Sequence, residues 1–208
     1  MTVRKSILSI SILLNISLGI LVFQLREKIF TQLFPALKVN VLLIGDSLLA
    51  QENWNSLLKR NDLKNGAFGG AITQQILWNI EQGQLASNPK IVVLNGGIND
   101  LLSGVPTQRV FDNYQKIIET LRKENIKIIA HLVLYTVDNE LINKEVFILN
   151  YLLKEYFESQ KIKFIDMNLQ LSDLRKLKSN FSIDGIHLRR EAYKIWANEL
   201  SSKLPQEL

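Results

Sequence analysis

Residues 39–47 read VNVLLIGDS, an apolar run that ends in a glycine, an aspartate and a serine. A strand with one wet face alternates apolar and polar residues; a strand covered on both faces does not. The run therefore predicts a strand buried inside a parallel sheet. KIVVLNG (90–96) has the same form, and KIIAHLVLYT (127–136) and IKFIDM (162–167) are similar. Helical patterns lie between these runs. In 107–124 the residues Val110, Tyr114, Ile117, Ile118 and Leu121 recur at helical spacing. Val146, Leu149, Leu153 and Phe157 recur likewise in 145–159, as do Ala192, Tyr193, Trp196 and Leu200 in 189–204. Such stripes cover a core. Strand and helix in alternation predict an α/β domain with right-handed connections. Ligands in such domains sit beyond the carboxyl ends of the strands, so the residues just after Ile44, Leu94 and Tyr135 are the places for a site.

The chain has 208 residues, enough for one well-cored domain, taken here as 39–208. It contains no cysteine, which excludes disulfides, thiolate zinc sites and a cysteine nucleophile. Its net charge is +5. Residues 1–38 hold +4 of this through Arg4, Lys5, Arg26, Lys28 and Lys38 against Glu27, leaving only +1 for the rest. A nucleic-acid binder concentrates its positive charge on the folded domain. Here the excess brackets the stretch SILSISILLNISLGILVF (6–23), which no charge interrupts. As a helix it spans roughly 27 Å, close to the hydrocarbon thickness of a bilayer. Residues 1–38 are accordingly read as a transmembrane signal anchor with its juxtamembrane linker, the domain on the non-cytoplasmic side. A signal peptide removed by cleavage is the alternative; the lack of an Ala-x-Ala-like site in QLREKIF speaks against it.

Ser47 follows the first strand and precedes the helix-like LLAQENWNSLLKR. A serine there is a nucleophile with its own N–H beside it, or an ordinary helix cap. A serine nucleophile needs a base, and the chain has two histidines. His131 lies in an apolar strand and is read as a hydrogen-bonded core residue. His187 lies in SIDGIHLRR, three residues after Asp184. That spacing lets the carboxylate turn back to one ring nitrogen and leaves the other for a serine. Asn65-Gly-Ala-Phe-Gly-Gly70 is a flexible turn that exposes an N–H, and Gly97-Ile98-Asn99-Asp100 places a side-chain amide after a strand. Each also reads as a plain turn or helix cap.

The four segments, in this order, resemble the SGNH/GDSL hydrolase superfamily, a set of esterases, lipases, thioesterases and carbohydrate deacetylases. The resemblance covers about 39–208. It implies a flavodoxin-like three-layer α/β/α sandwich with about five parallel strands. It makes Ser47 the nucleophile, His187 the base and Asp184 the residue that orients it. The oxyanion hole comes from the N–H groups of Ser47 and Gly70 and the side chain of Asn99, with Gly69 a competitor of Gly70. No metal or organic cofactor is implied. The substrate is a small-molecule, glycan or lipid ester. The alternatives are an acyltransferase using the same residues and a non-catalytic carbohydrate-binding protein on the same fold. Two positions depart from the family pattern. Ala71 stands where many members have aspartate, and Arg189 stands where a capping serine or asparagine is frequent. A Gly-x-Ser-x-Gly elbow, a phosphate-binding loop and a His-Glu-x-x-His motif are absent from the sequence.

Overall fold

Every residue of the first strand is buried, and alternate residues serve different cores. The computed structural model describes residues 18–23, 25–26 and 39–205. The chain divides between Lys38 and Val39, and the two parts are taken separately. From Val39 the elements run β1 (Val41–Ile44), α1 (Ser47–Ala50), α2 (Trp54–Leu58), β2 (Leu63–Asn65) and α3 (Thr73–Asn79). They continue with β3 (Ile91–Leu94), α4 (Ile98–Leu102), α5 (Thr107–Lys123), β4 (Lys127–His131) and α6 (Glu140–Ser159). The last are β5 (Lys163–Ile165), α7 (Asn168–Leu171), a small hairpin β6 (Ser172–Asp173) and β7 (Lys176–Leu177), and α8 (Arg190–Lys203).

β1 to β5 form one parallel sheet in the order β2-β1-β3-β4-β5. Leu42, Ile44, Val92, Leu94, Ile128 and Ala130 face a core closed by α3, α5 and α6. Val41, Leu43, Ile91, Val93 and Ile129 face a second core, closed by α1, α2 and α8. The sheet is thus a middle layer, as expected. The strand order reverses between β1 and β3, so the crevice for a ligand opens at their carboxyl ends.

The second core is rich in aromatic contacts. Trp54 meets Trp196 edge-on at 5.3 Å and Tyr193 at 5.9 Å. Trp54 donates to the Leu49 carbonyl (2.8 Å) and Tyr193 to the Leu48 carbonyl (2.9 Å). Both bonds fasten α1 to its neighbours, α2 and α8. His131 is a core residue, as expected. Trp196 Nε1 donates to its Nε2 at 2.7 Å, and its Nδ1 faces the Leu94 carbonyl at 3.2 Å. Burial pushes its pKa down to about 4, so the ring is neutral with the proton on Nδ1.

The predicted strand 127–136 is too long. β4 stops at His131, and beyond Leu132 side-chain amides replace the neighbouring strand. Asn150 takes the Val133 N–H (2.7 Å) and donates to the Val133 carbonyl (2.8 Å). Asn143 does the same at Thr136 (2.7 and 2.9 Å). The helix expected over 145–159 starts at Glu140, capped by the side chain of Asn139. The helix-like stretch after Ser47 breaks in two, because Asn53 caps a fresh helix through Ser56 N–H. Of the anchor expected over 6–23, residues 6–17 lie outside the described residues. Residues 18–23 are helical, and among the described residues no helix is long and apolar enough to cross a membrane.

At the end of β1 a Cβ on Gly45 would run into the Asn95 carbonyl, a backbone atom that has nowhere to go. Gly45→Ala is expected to lower stability by about 1–3 kcal/mol, the usual cost of overpacking. Gly69→Ala, where a Cβ meets open space, is expected to leave the urea midpoint in place. Equal midpoints for the two variants would show that the β1–β3 approach is not constrained at Gly45.

Candidate active site

Ser47 is the first residue of α1, and its preceding residue fixes the turn. The buried Asp46 caps α1: its Oδ1 accepts from Leu48 N–H (3.0 Å) and from the Asn95 side chain (2.9 Å). Asn95 follows β3, so this bond ties the ends of β1 and β3 together. Burial pushes the Asp46 carboxyl up to about 6, against the pull of those two donors. The Asp46–Asn95 bond is not visible in the sequence; the polar pair only becomes a pair when the two strands are neighbours.

The loop between Phe181 and Arg190 carries the other two residues. Ser182 pairs with Leu188 in an isolated bridge, and Ile183 N–H donates to the His187 carbonyl at 2.8 Å. Gly185 sits at φ +97°, a backbone shape that favours glycine. The tight turn lets Asp184 Oδ1 accept from the N–H groups of Ile186 (3.0 Å) and His187 (2.8 Å). Asp184 Oδ2 then meets His187 Nδ1 at 2.7 Å. The His187 ring and these N–H groups hold the carboxyl down to about 2. An ionised carboxylate only accepts, so Nδ1 carries the proton and Nε2 presents its lone pair. Nε2 lies 3.1 Å from Ser47 Oγ. Three residues spread over 140 positions of sequence thus form one hydrogen-bonded line.

The second and third glycine-containing segments meet each other. Gly70 has φ +73°, whereas Gly69 has no positive φ, and Ala71 is wholly buried in the α3 core. Asn99 Nδ2 donates to the Ala71 carbonyl at 3.1 Å. A primary amide has two N–H donors, so one remains. The Asp100 carboxylate accepts from Thr73 N–H (2.9 Å) and Thr73 Oγ1 (2.6 Å), and Asn113 donates to that hydroxyl (2.9 Å). Burial pushes the Asp100 carboxyl up, with Thr73 opposing. The loop before them is fastened to the Ser47 turn through Phe68 N–H to the Gly45 carbonyl (3.1 Å) and Asn65 Nδ2 to the Leu49 carbonyl (2.8 Å). Among the described residues, the N–H groups of Ser47 and Gly70 meet no acceptor. Asn113 was missed from sequence; its signal was a polar residue on the apolar face of α5. Arg189 is the N-cap of α8 and its side chain makes no capping bond.

The arrangement is that of a hydroxyl, an imidazole and a carboxylate on the carboxyl edge of a parallel sheet. The GDSL-like lipase/acylhydrolase family matches over residues 43–195, and the chain belongs to that family. That family is one of GDSL-like lipases and acylhydrolases. The chain is 25% identical over 169 residues to an N-acylneuraminate cytidylyltransferase of Streptococcus agalactiae. That match takes in 77% of this chain, and the chain spans 39% of the length of that relative. A GDSL-like lipase from Bacteroides thetaiotaomicron shares the fold at 20% identity, with a TM-score of 0.70 over 80% of this chain and 89% of the other. An esterase from Pseudoalteromonas sp. does so at 18% identity, with a TM-score of 0.64 over 78% and 95%.

The Asp184 contacts set a titration. In His187→Ala the largest cause of its low pKa is gone, and the carboxyl is expected to rise from about 2 toward 3.8, held back in part by the remaining N–H bonds. A carboxyl-carbon NMR titration measures this. The depressed value also stabilises the native chain at every pH above 3.8, and this contribution disappears as pH falls toward 2. No change in the variant would mean that the imidazole does not hold the carboxylate.

Proposed function

We propose that the chain is a membrane-anchored serine esterase that removes small acyl groups, acetyl above all, from an ester of a carbohydrate or lipid. The observation that carries this reading is the line from Asp184 through His187 to Ser47 Oγ, with links of 2.7 and 3.1 Å. Ser47 Oγ attacks the acyl carbonyl while His187 Nε2 takes its proton. Asp184 keeps the ring in the right tautomer and stabilises the imidazolium. The tetrahedral oxyanion is met by the N–H groups of Ser47 and Gly70 and by the second N–H of the Asn99 amide. His187 returns the proton to the leaving alkoxide, and the acyl group remains on Ser47. Water, deprotonated by His187, then releases the acid and restores the serine. Apart from the ester and water, every group named in the cycle is a side chain or backbone amide of this chain.

A cavity of about 210 Å³ touches the triad loop at Asp184, between Leu102, Thr136, Asn139 and Ile186. Its lining takes in none of Ser47, His187, Gly70 and Asn99, and the preference for a small acyl group rests instead on segments 101–106 and 136–145, which carry no long apolar lid. The anchor reading rests on residues 6–23 and their flanking cations.

Ser47→Ala is expected to lower p-nitrophenyl acetate turnover by at least about 10³-fold with an unchanged circular dichroism spectrum. Asn99→Ala is expected to cost roughly 10²–10³-fold, mostly in kcat. Undiminished turnover in Ser47→Ala would refute the mechanism. A loss confined to KM in Asn99→Ala would remove Asn99 from the oxyanion hole.

A further inference from the structure

The domain carries little net charge, but its charge is unevenly placed. At the amino edge of the sheet, opposite the edge that carries Ser47, there is a cavity of about 520 Å³. Strand-end isoleucines such as Ile91, Ile128 and Ile162 form its floor. Arg122, Lys127, Lys161, Lys163 and Lys203 ring it, and no carboxylate among the described residues lines it. Arg122 is held by Gln160 at 2.7 Å, and Lys203 stands 3.8 Å from Glu199. Lys127, Lys161 and Lys163 are exposed and form no ion pair among the described residues. Like charges gathered around one depression repel one another, and an anionic surface laid against them relieves that repulsion.

The same edge is where the polypeptide comes into the domain. The Asn40 carbonyl accepts from the N–H groups of Lys90 (2.9 Å) and Ile91 (3.0 Å), and the Lys90 carbonyl accepts from Lys127 N–H (3.0 Å). The first residues of the domain are therefore stitched to the wall of the basic cavity. Fifteen residues, 24–38, separate it from the apolar stretch 6–23, and three of them are Arg26, Lys28 and Lys38. Fully extended they reach at most about 50 Å. A chain held in a bilayer by 6–23 keeps this edge at high local concentration over the headgroups.

We infer that the basic amino edge is a docking surface for the anionic phospholipid headgroups of a bilayer. The inference rests on the anchor reading above. The cavity rim is by itself a polybasic surface of the folded domain. A nucleic acid fits less well, because among the described residues no aromatic side chain on which bases stack lines the cavity. Docked by this edge, the domain turns Ser47 and His187 away from the lipid, so docking leaves the esterase site open to solvent.

The test uses the full chain with vesicles of phosphatidylcholine alone or with about 30 mol% phosphatidylglycerol. Flotation shows retention, and amine acetylation read by mass spectrometry shows which lysines are covered. Flotation with both vesicle types is expected. Lys127, Lys161 and Lys163 are expected to label about tenfold more slowly on the anionic vesicles than on the neutral ones. Lys144, on the opposite edge, is expected to label equally. The protection of Lys127 is expected to vanish at high salt and in Lys161→Glu/Lys163→Glu. That variant keeps full p-nitrophenyl acetate turnover, which shows that it is folded. Flotation with equal labelling of Lys127 on both vesicle types would overturn the docking surface and leave the anchor intact. Flotation on anionic vesicles alone would sink the anchor and support the surface, and flotation on neither would sink both. Equal protection of Lys127 by a short DNA duplex without vesicles would overturn the lipid assignment.

Discussion

The carboxyl edge of this sheet depends on one close approach, the passage of Gly45 beside the Asn95 carbonyl. With no side chain between them, β1 and β3 run together until both strands have ended. Asp46 then reaches Asn95, and the turn that follows has one shape. Ser47 is therefore placed by backbone geometry and by a buried hydrogen bond rather than by its own contacts. The 65–68 loop is bonded to the same turn, and it leads to the turn at Gly70. One constraint at a topological switch point thus orders three of the segments that surround the serine.

The remaining segment comes from the far end of the chain, and the aromatic core brings it in. α8 begins just after His187 and packs through Tyr193 and Trp196 against Trp54 and His131. Tyr193 bonds to the carbonyl of Leu48, the residue after Ser47. The helix that follows the imidazole and the helix that starts at the hydroxyl are therefore joined twice, once through this core and once through the 3.1 Å contact. Apolar burial and edge-on aromatic contacts supply a stiff frame, and the polar line lies across its rim. Arg189 makes no capping bond, and α8 still starts on time because this packing sets its position.

What was legible in the sequence follows from this division. Runs such as VLLI and IVVL announce strands because nothing but burial on both faces explains them. β2 was not legible: Leu63-Lys64-Asn65 is an edge strand with one buried residue, and so short a pattern says nothing alone. The end of β4 was hidden because Asn143 and Asn150, on the buried face of α6, supply its backbone partners. Asn150 sits in the periodic stripe as a polar exception, and Asn143 lies ahead of the helix expected over 145–159. The hairpin tip Leu174-Arg175 was illegible for another reason. Both residues have positive φ, a shape that asparagine and glycine usually signal. The four site segments were readable as a set, in order. Their joints, Asp46 to Asn95 and Asn99 to Ala71, join residues remote in sequence and needed the fold.

Two aspartates lie beside the Ser47–His187 pair, and their surroundings separate what they can do. Asp184 is half exposed and receives three N–H groups, two from backbone and one from the ring. Its charge is satisfied, and it stays ionised well into the acid range. Asp46 is wholly buried, with two donors on Oδ1 and none for Oδ2 among the described residues. Its charge is poorly satisfied, which is why its carboxyl sits about as high as 6. A positive ring at His187 favours the ionised form of Asp46, so the buried carboxylate adds to the stabilisation of an imidazolium. The same negative charge works against an oxyanion forming next to Ser47, and the amide of Asn95 tempers it. Asp184 has the geometry to hold the ring, whereas Asp46 has the geometry to hold the turn. Exchanging their surroundings would leave the imidazole facing a carboxyl that is readily protonated and the Ser47 turn without its cap.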